Sequence, residues 1–394
     1  MQSECSSLFD ELDESQKKTV DDFHSNMQTE DVRMKEYPKL FSLRFLIGRN
    51  WNIQHSKEFI RNHLLWKELS YMHFMMEEVP ISKDNLYVPG SISGYSKLGN
   101  PLFFSSVGAI DINGIRNTTP YMSIANQRFK ITKSILDACE EASKRHNKEI
   151  HQAYGIFDFS GASLSSLVGD FRAFNSAIGV IVADNYPEVF KKLFFVNAKS
   201  IFSTLYGFIA RFLSDRVKSK IYVLDSSPGE TLLKYIDADQ LPKCYGGSLE
   251  DPVGDPTCSN RIKYPKKIDT SQYYGNIFKI HKKEDLKEIK VSRGTTTTIP
   301  LGNLQAGQRI DWIVISDNYD IGFGINFEEV PDAKTKEGSA EKYQVLPPLR
   351  INSYLVPEEG YMTIKKTGSY SLIFDNSYSY FNGKKVFYKL NITK

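Results

Sequence analysis

Asp158 closes an apolar run, QAYGIFDF (residues 152–159), and stands just before Ser160-Gly161. The end of a strand is where α/β proteins often place acid–base groups. No activated nucleophile or paired acid accompanies Asp158, so capping of the following loop is the expected role. His146 and His151 are the nearest pair of histidines. Five residues apart on one helix they would point to different faces, which makes them surface residues and not a metal pair. Cys5, Cys139, Cys244 and Cys258 form no CxxC, a pattern of reduced thiols. The nucleophile elbow, the phosphate loop, the dinucleotide fingerprint and the H-E-x-x-H zinc motif are all missing from the sequence. The expectation is a non-enzymatic protein with no catalytic residues, metal or cofactor.

The chain has 394 residues, 41% hydrophobic and 25% charged, enough for two or three domains with real cores. Its 50 basic and 47 acidic residues leave a net charge of +3, which excludes a nucleic-acid footprint for the chain as a whole. The first residues carry no basic head with an apolar stretch behind it, and no run approaches a membrane span. A cytoplasmic protein with peripheral association to intracellular membranes is expected.

These residues need a scaffold, and the apolar pattern supplies one. Residues 1–75 carry Leu43, Leu46, Phe59, Ile60 and Leu64 at helical spacing. GSISGYSKLGNPLFFSSVGAID (90–111) alternates around Leu98-Gly99-Asn100-Pro101, the mark of a strand pair. Further on, long helical patterns alternate with short strand-like runs at 152–159, 191–198 and 220–226, a rhythm that predicts a mostly parallel sheet with crossover helices. A Pro- and Gly-bearing stretch, 249–267, reads as a linker or an ordered strap. Beyond about Tyr273 the helical period gives way to short alternating runs, among them QRIDWIVISD, IGFGINFEE and GSYSLIFDNS, which predict an antiparallel sandwich.

KSIFSTLYGFIARFL (199–213) holds Ile201, Phe202, Leu205, Phe208, Ile209, Phe212 and Leu213 on one helical stripe. Leaving it in water would cost roughly 1.5–3 kcal/mol per side chain, so something apolar covers it. The cover is the protein's own core, a ligand or a membrane. Gly207, mid-helix, weakens this segment by about 1 kcal/mol relative to Ala.

NYPEVFKKLFFVNAKSIFSTLYGFIARFLSDRVKSKIYVL (185–224) resembles the core of the Sec14-like, or CRAL-TRIO, family. LRFLIGRNW (43–51) is similar to its N-terminal helical motif, and LLKYIDADQLPKCYGGSLEDPVGDP (232–256) to its closing segment. IDWIVISDNYDIGFGINF (310–327), LVPEEG (355–360) and GSYSLIFDNSYSYFNGKKVFYKL (368–390) resemble a GOLD domain. The pair of domains is similar to the animal Sec14-like family that includes supernatant protein factor. The resemblance implies an α/β fold class: an N-terminal helical unit (1–75), a mixed, mostly parallel sheet (76–250), a linker (251–274) and an all-β GOLD-like sandwich (275–394).

The resemblance further implies a carrier of hydrophobic ligands in an apolar pocket, with the stripe at 201–213 as a mobile gate. In family members that take phosphatidylinositol the head group is held by residues matching Arg49, Glu188 and Lys220, with Tyr186 nearby; a plain Glu188–Lys220 ion pair is the other reading. Val217 replaces a threonine and Asn50 a basic residue of that pattern. At the positions that form a choline pocket in other members stand Ala153, Gly155, Val182, Ile92 and Phe103, with Tyr186 retained. The replacements weaken the case for a phospholipid such as phosphatidylinositol without removing it, and the more apolar pocket favours a nonpolar or weakly polar ligand such as an isoprenoid, tocopherol or squalene. The implied partners are a lipid or lipophilic small molecule, a transient membrane surface and a protein bound through the GOLD domain, with no nucleic acid. A ligand-sensing adaptor is the alternative. Lys263, Lys266, Lys267, Lys279, Lys282, Lys283 and Lys287, diluted by Glu284, Asp285 and Glu288, are expected to form a solvated surface.

Overall fold

The computed structural model describes residues 7–80, 90–162, 170–198, 215–225, 227–275, 279, 281–329 and 342–394. The stripe from Ile201 to Leu213 lies outside them. The chain opens with helices α1 (Glu14–Glu30), α2 (Lys39–Gly48), α3 (Ile53–Leu69) and α4 (Tyr71–Glu78). Each start has a chemical reason. Asp13 and Gln16 form a capping box on α1, Asn52 accepts from the His55 N–H to open α3, and Ser70 accepts from the Met72 N–H to open α4. Phe23, Met27, Leu43, Leu46, Ile60 and Leu64 meet between the first three helices.

The sheet that follows runs β1 (Ser91–Tyr95), β2 (Pro101–Ser105), β3 (Ala153–Asp158), β4 (Phe190–Val196), β5 (Ile221–Val223) in that spatial order. β1 and β2 pair antiparallel across the expected turn, where Gly99 takes a φ of 92°, and the remaining pairs are parallel. Crossovers use α5 (Ile112–Thr118), α6 (Tyr121–His146) and α7 (Asp170–Asn185). α6 ends at His146, with Asn147 in the left-handed conformation as its cap. His151 is therefore not on that helix. It is half-buried, its Nδ1 accepts from the Leu8 N–H at 3.4 Å, and burial beside Arg44 pushes its pKa down to about 4. The spacing argument placed it on the surface because nothing local signals the contacts that Leu8 and Arg44 bring.

Residues 249–268 form an ordered strap. Cys258, Ile262 and Ile268 are buried, the Lys263 N–H donates to Ser91 Oγ at 2.8 Å, and the Ile268 N–H donates to Asp111 Oδ2 at 3.0 Å. Cys139 and Cys258 are buried free thiols and Cys244 is an exposed one. Strands β6 (Lys287–Val291), β7 (Thr296–Leu304), β8 (Arg309–Ser316), β9 (Ile321–Glu328), β10 (Lys342–Ile351), β11 (Glu358–Thr363), β12 (Gly368–Asp375) and β13 (Lys384–Thr393) then build two antiparallel four-stranded sheets, β10-β9-β12-β7 and β11-β8-β13-β6.

The sandwich packs directly on the helices. Ile310, Trp312 and Phe323 belong to one apolar cluster with Tyr71, Met72 and Phe74 of α4, Ile124 and Phe129 of α6, and Phe174 and Ile178 of α7. A set of strands that reads as separate along the chain is thus continuous with the helical core in space. No helix among the described residues is long and apolar enough to cross a membrane.

Candidate functional site

The two faces of the five-stranded sheet differ in cover. Leu102, Phe104, Tyr154, Ile156, Phe194 and Val196 point to one side and are buried against Leu232, Ile236, Leu241 and Tyr245. On the other side the register lines up Ile92, Phe103, Gly155, Leu193 and Ile221 across all five strands. One pleat further on, Ser105, Phe157, Phe195 and Val223 form a second row. Ile131, Ile135, Leu136 and Cys139 of α6 cover Phe103, Ala153 and Phe190. Phe157, Leu193, Phe195, Ile221 and Val223 are only half-buried. Period-two alternation thus gives one closed face and one more open face, and among the described residues the two rows named on the open face carry no charge and one hydroxyl, that of Ser105. Gly155 keeps the floor low: a Cβ there would sit 2.6 Å from the Phe157 ring and 3.2 Å from Leu193.

A charged cluster sits where β4 and β5 begin. Lys220 Nζ lies 2.7 Å from Glu188 Oε2 and donates to the Phe190 carbonyl at 3.0 Å. Arg216, on the short helix Asp215–Ser219, donates through Nε and Nη2 to the same carboxylate at 3.1 and 3.0 Å, and Gln152 Nε2 adds a bond at 3.1 Å. Glu11 extends the network to Lys191 and Arg216, giving three cations against two carboxylates. Burial opposes the Glu188 charge, yet Lys220 and Arg216 outweigh it and hold the pKa below the ordinary value. Burial lowers the pKa of Lys220 despite its partner. Glu188 takes a φ of 62°, unusual for a residue with a side chain. Arg44 of α2 secures that turn by donating to the carbonyls of Pro187, Glu188 and His151.

Arg49, at the end of α2, is held elsewhere. Its Nη2 pairs with Asp184 Oδ1 of α7 at 2.8 Å, and its guanidinium carbon stands 3.4 Å from the centre of the Phe59 ring. Burial lowers the Arg49 pKa and raises that of Asp184, each opposed by the other's charge. Glu188 and Lys220 are thus brought together, while Arg49 has its own partner. Tyr186 packs with the cluster around Phe103 and also lines a cleft of about 640 Å³ between α2, α3 and α6, its hydroxyl 3.4 Å from Met76 Sδ. Asp158 accepts from the Ser160 N–H and hydroxyl, Asn197 Nδ2 and the Tyr245 hydroxyl, the bonding of a loop clasp. Among the described residues no group of His, Cys, Asp and Glu could hold a metal ion.

Sequence reasoning missed Arg216, Gln152, Arg44 and Asp184. Gln152 opens the QAYGIFDF run and Arg44 lies inside LRFLIGRNW, so both were within recognised stretches. Their roles depend on which strand ends meet. Glu188→Ala leaves Lys220 and Arg216 without their carboxylate and is expected to cost about 3–5 kcal/mol in chemical denaturation, part of it recovered by adding Lys220→Met. Unchanged stability in Glu188→Ala would show that the cluster is not holding the fold.

The model of the CRAL/TRIO domain matches residues 86–247, which contain this sheet. The chain carries a CRAL/TRIO domain. Protein ctg-1 of Caenorhabditis elegans is 23% identical over 367 residues, 89% of this chain and 91% of that protein, an overlap too long to stop at the CRAL/TRIO domain. The phosphatidylinositol/phosphatidylcholine transfer proteins SFH12 and SFH4 of Arabidopsis thaliana are 28% and 31% identical over 244 and 213 residues, 60% and 52% of this chain. The chain spans 44% and 34% of their lengths. The crystal structure of Sfh5 aligns with 68% of this chain and 98% of its own at 15% identity, with a TM-score of 0.47. The face, the charged cluster and Arg49 all belong to, or touch, the CRAL/TRIO domain.

Proposed function

We propose that this protein binds a lipid or lipophile on the open face of its five-stranded sheet and transfers it between membranes or presents it there, without catalysing a reaction. The observation that carries the proposal is the unequal cover of the two sheet faces. An acyl or isoprenoid chain laid on the open face would gain roughly 0.8 kcal/mol per buried CH₂. The names of the two plant relatives, phosphatidylinositol/phosphatidylcholine transfer proteins, support the same reading.

The remaining cover is assigned to the stripe at 201–213. It follows β4 and precedes the short helix that leads into β5, so chain order favours a place beside the face. A gate of this kind covers ligand when closed and touches bilayer when open. An anionic head group at Arg49 or Lys220 would have to displace Asp184 or Glu188. A weakly polar ligand displaces neither, which favours an isoprenoid, tocopherol or squalene-like molecule over phosphatidylinositol. In this reading the C-terminal sandwich is GOLD-like and tethers or regulates the carrier.

Extraction and native mass spectrometry of the purified chain should find an apolar molecule bound in near-equal amount. Phe195→Asp puts a carboxylate on the open face and is expected to empty it by about tenfold or more, the cost of desolvating an unpaired charge beside a hydrocarbon. A folded Phe195→Asp protein with a full ligand load would refute the assignment of this face.

A further inference from the structure

At one end of the sandwich the β12–β13 connection, residues 376–383, presents Tyr380 and Phe381 to solvent at 83% and 85% exposure. Two adjacent aromatic rings so fully in water are costly unless they have a use. The loop is not slack. Asn376 is fully buried and its Nδ2 donates to the carbonyls of Val291, Ser292 and Asn382, while Ser379 Oγ donates to the Asn382 carbonyl at 3.0 Å. The Gly294 N–H donates to the Asn376 carbonyl, and the Tyr378 hydroxyl donates to the Asp320 carbonyl. Three turns are therefore laced into one rigid tip, with half-exposed Tyr319 on the third.

The charge around the tip has a sign. Arg293, in the turn bonded to Asn376, and Lys290 in β6 are exposed. The nearby acids are engaged: Asp320 by Arg350 and Lys384, Asp317 by Lys283, and Asp375 by Thr296 and Ser377. We propose that this tip docks on an anionic lipid surface, with Tyr380 and Phe381 entering the interface and Arg293 and Lys290 facing the head groups. Amphipathic rings favour the head-group level of a bilayer, and a basic group near an anionic leaflet is attracted to it. The inference does not require the ligand assignment, since a carrier and an adaptor would both use such a foothold.

The test is sedimentation of the full chain with vesicles of phosphatidylcholine alone or mixed with phosphatidylserine. Wild type is expected to bind the mixed vesicles preferentially and to be released by salt. Tyr380→Ser with Phe381→Ser should weaken that binding by about tenfold or more, since two exposed rings are lost, with thermal melting unchanged. Tyr380→Trp adds an indole at the tip, and its emission should shift to the blue on the mixed vesicles. Failure of wild type to bind, equal binding by the double variant, or an unshifted emission from the Tyr380→Trp protein would each overturn the proposal. Ligand content stays at the wild-type level in these variants, which keeps this test separate from that of the sheet face.

Discussion

Trp312→Ala is expected to loosen the sandwich and the helical body together. The indole is 2% exposed, stands edge-on to the Tyr71 ring of α4 with centroids 4.9 Å apart, and lies 6.0 Å from Phe323 inside the sandwich. Removing a buried Trp costs about 3–5 kcal/mol, because the lost transfer energy is joined by a cavity that rigid neighbours cannot close. Here those neighbours belong to two architectures. Calorimetry of wild type should therefore show one main transition, and the variant should move it as a whole. A chain cut after residue 274 would expose Tyr71, Met72 and Phe74, and should lose cooperative unfolding. Two well-separated transitions, only one shifted by Trp312→Ala, would show that the shared cluster does not couple the halves.

The second large effect is a pH dependence centred on Glu358. This residue of β11 (Glu358–Thr363) is 1% exposed; its Oε2 accepts from the Met122 N–H at 3.3 Å, and its Oε1 has no partner. The start of a long helix favours a carboxylate. Desolvation outweighs the pull of the Met122 and Tyr121 N–H groups and raises the pKa from 4.5 to about 8. Between those two values the folded chain holds a proton that the unfolded chain has lost. The contribution is therefore complete below the unfolded value and disappears as pH rises through the folded one, a change on the order of a few kcal/mol. Glu358→Gln keeps an acceptor for the Met122 N–H and stays neutral. Denaturant titrations should show that it removes most of the slope over this window and is more stable than wild type near about pH 8. Equal slopes in the two proteins would refute the assignment.

The expected strands of the sheet form because short aromatic and β-branched runs bounded by turns leave few other arrangements. Two strands of the sandwich escaped notice for physical reasons. β6 reads KEIKV, mostly charged, and β10 (Lys342–Ile351) contains Pro347-Pro348; both are edge strands, where charge and proline are tolerated, and β10 shifts register twice. The shared core had a signal that went unused. YMHFMM (71–76) is apolar around most of its circumference, which marks a helix covered on more than one side. Which face of the sheet stays open depends on register and on what packs behind it, and a linear pattern carries neither. The partners of Glu188 are set by three strand ends and the short helix before β5, so only the Glu188–Lys220 pair was readable, and then only through a family resemblance.

The joint between α4, α6 and the sandwich also has a consequence for how the chain is made. Met122 and Glu358 are 236 residues apart, so the partner of the α6 start leaves the ribosome on the order of ten to fifty seconds after it, at roughly 5–20 residues per second. During that interval Tyr71, Met72 and Phe74 have no sandwich to cover them. The apolar side of α4 is then a surface for a chaperone or for another nascent chain. Its burial waits until the strands of the sandwich have been made and close over it.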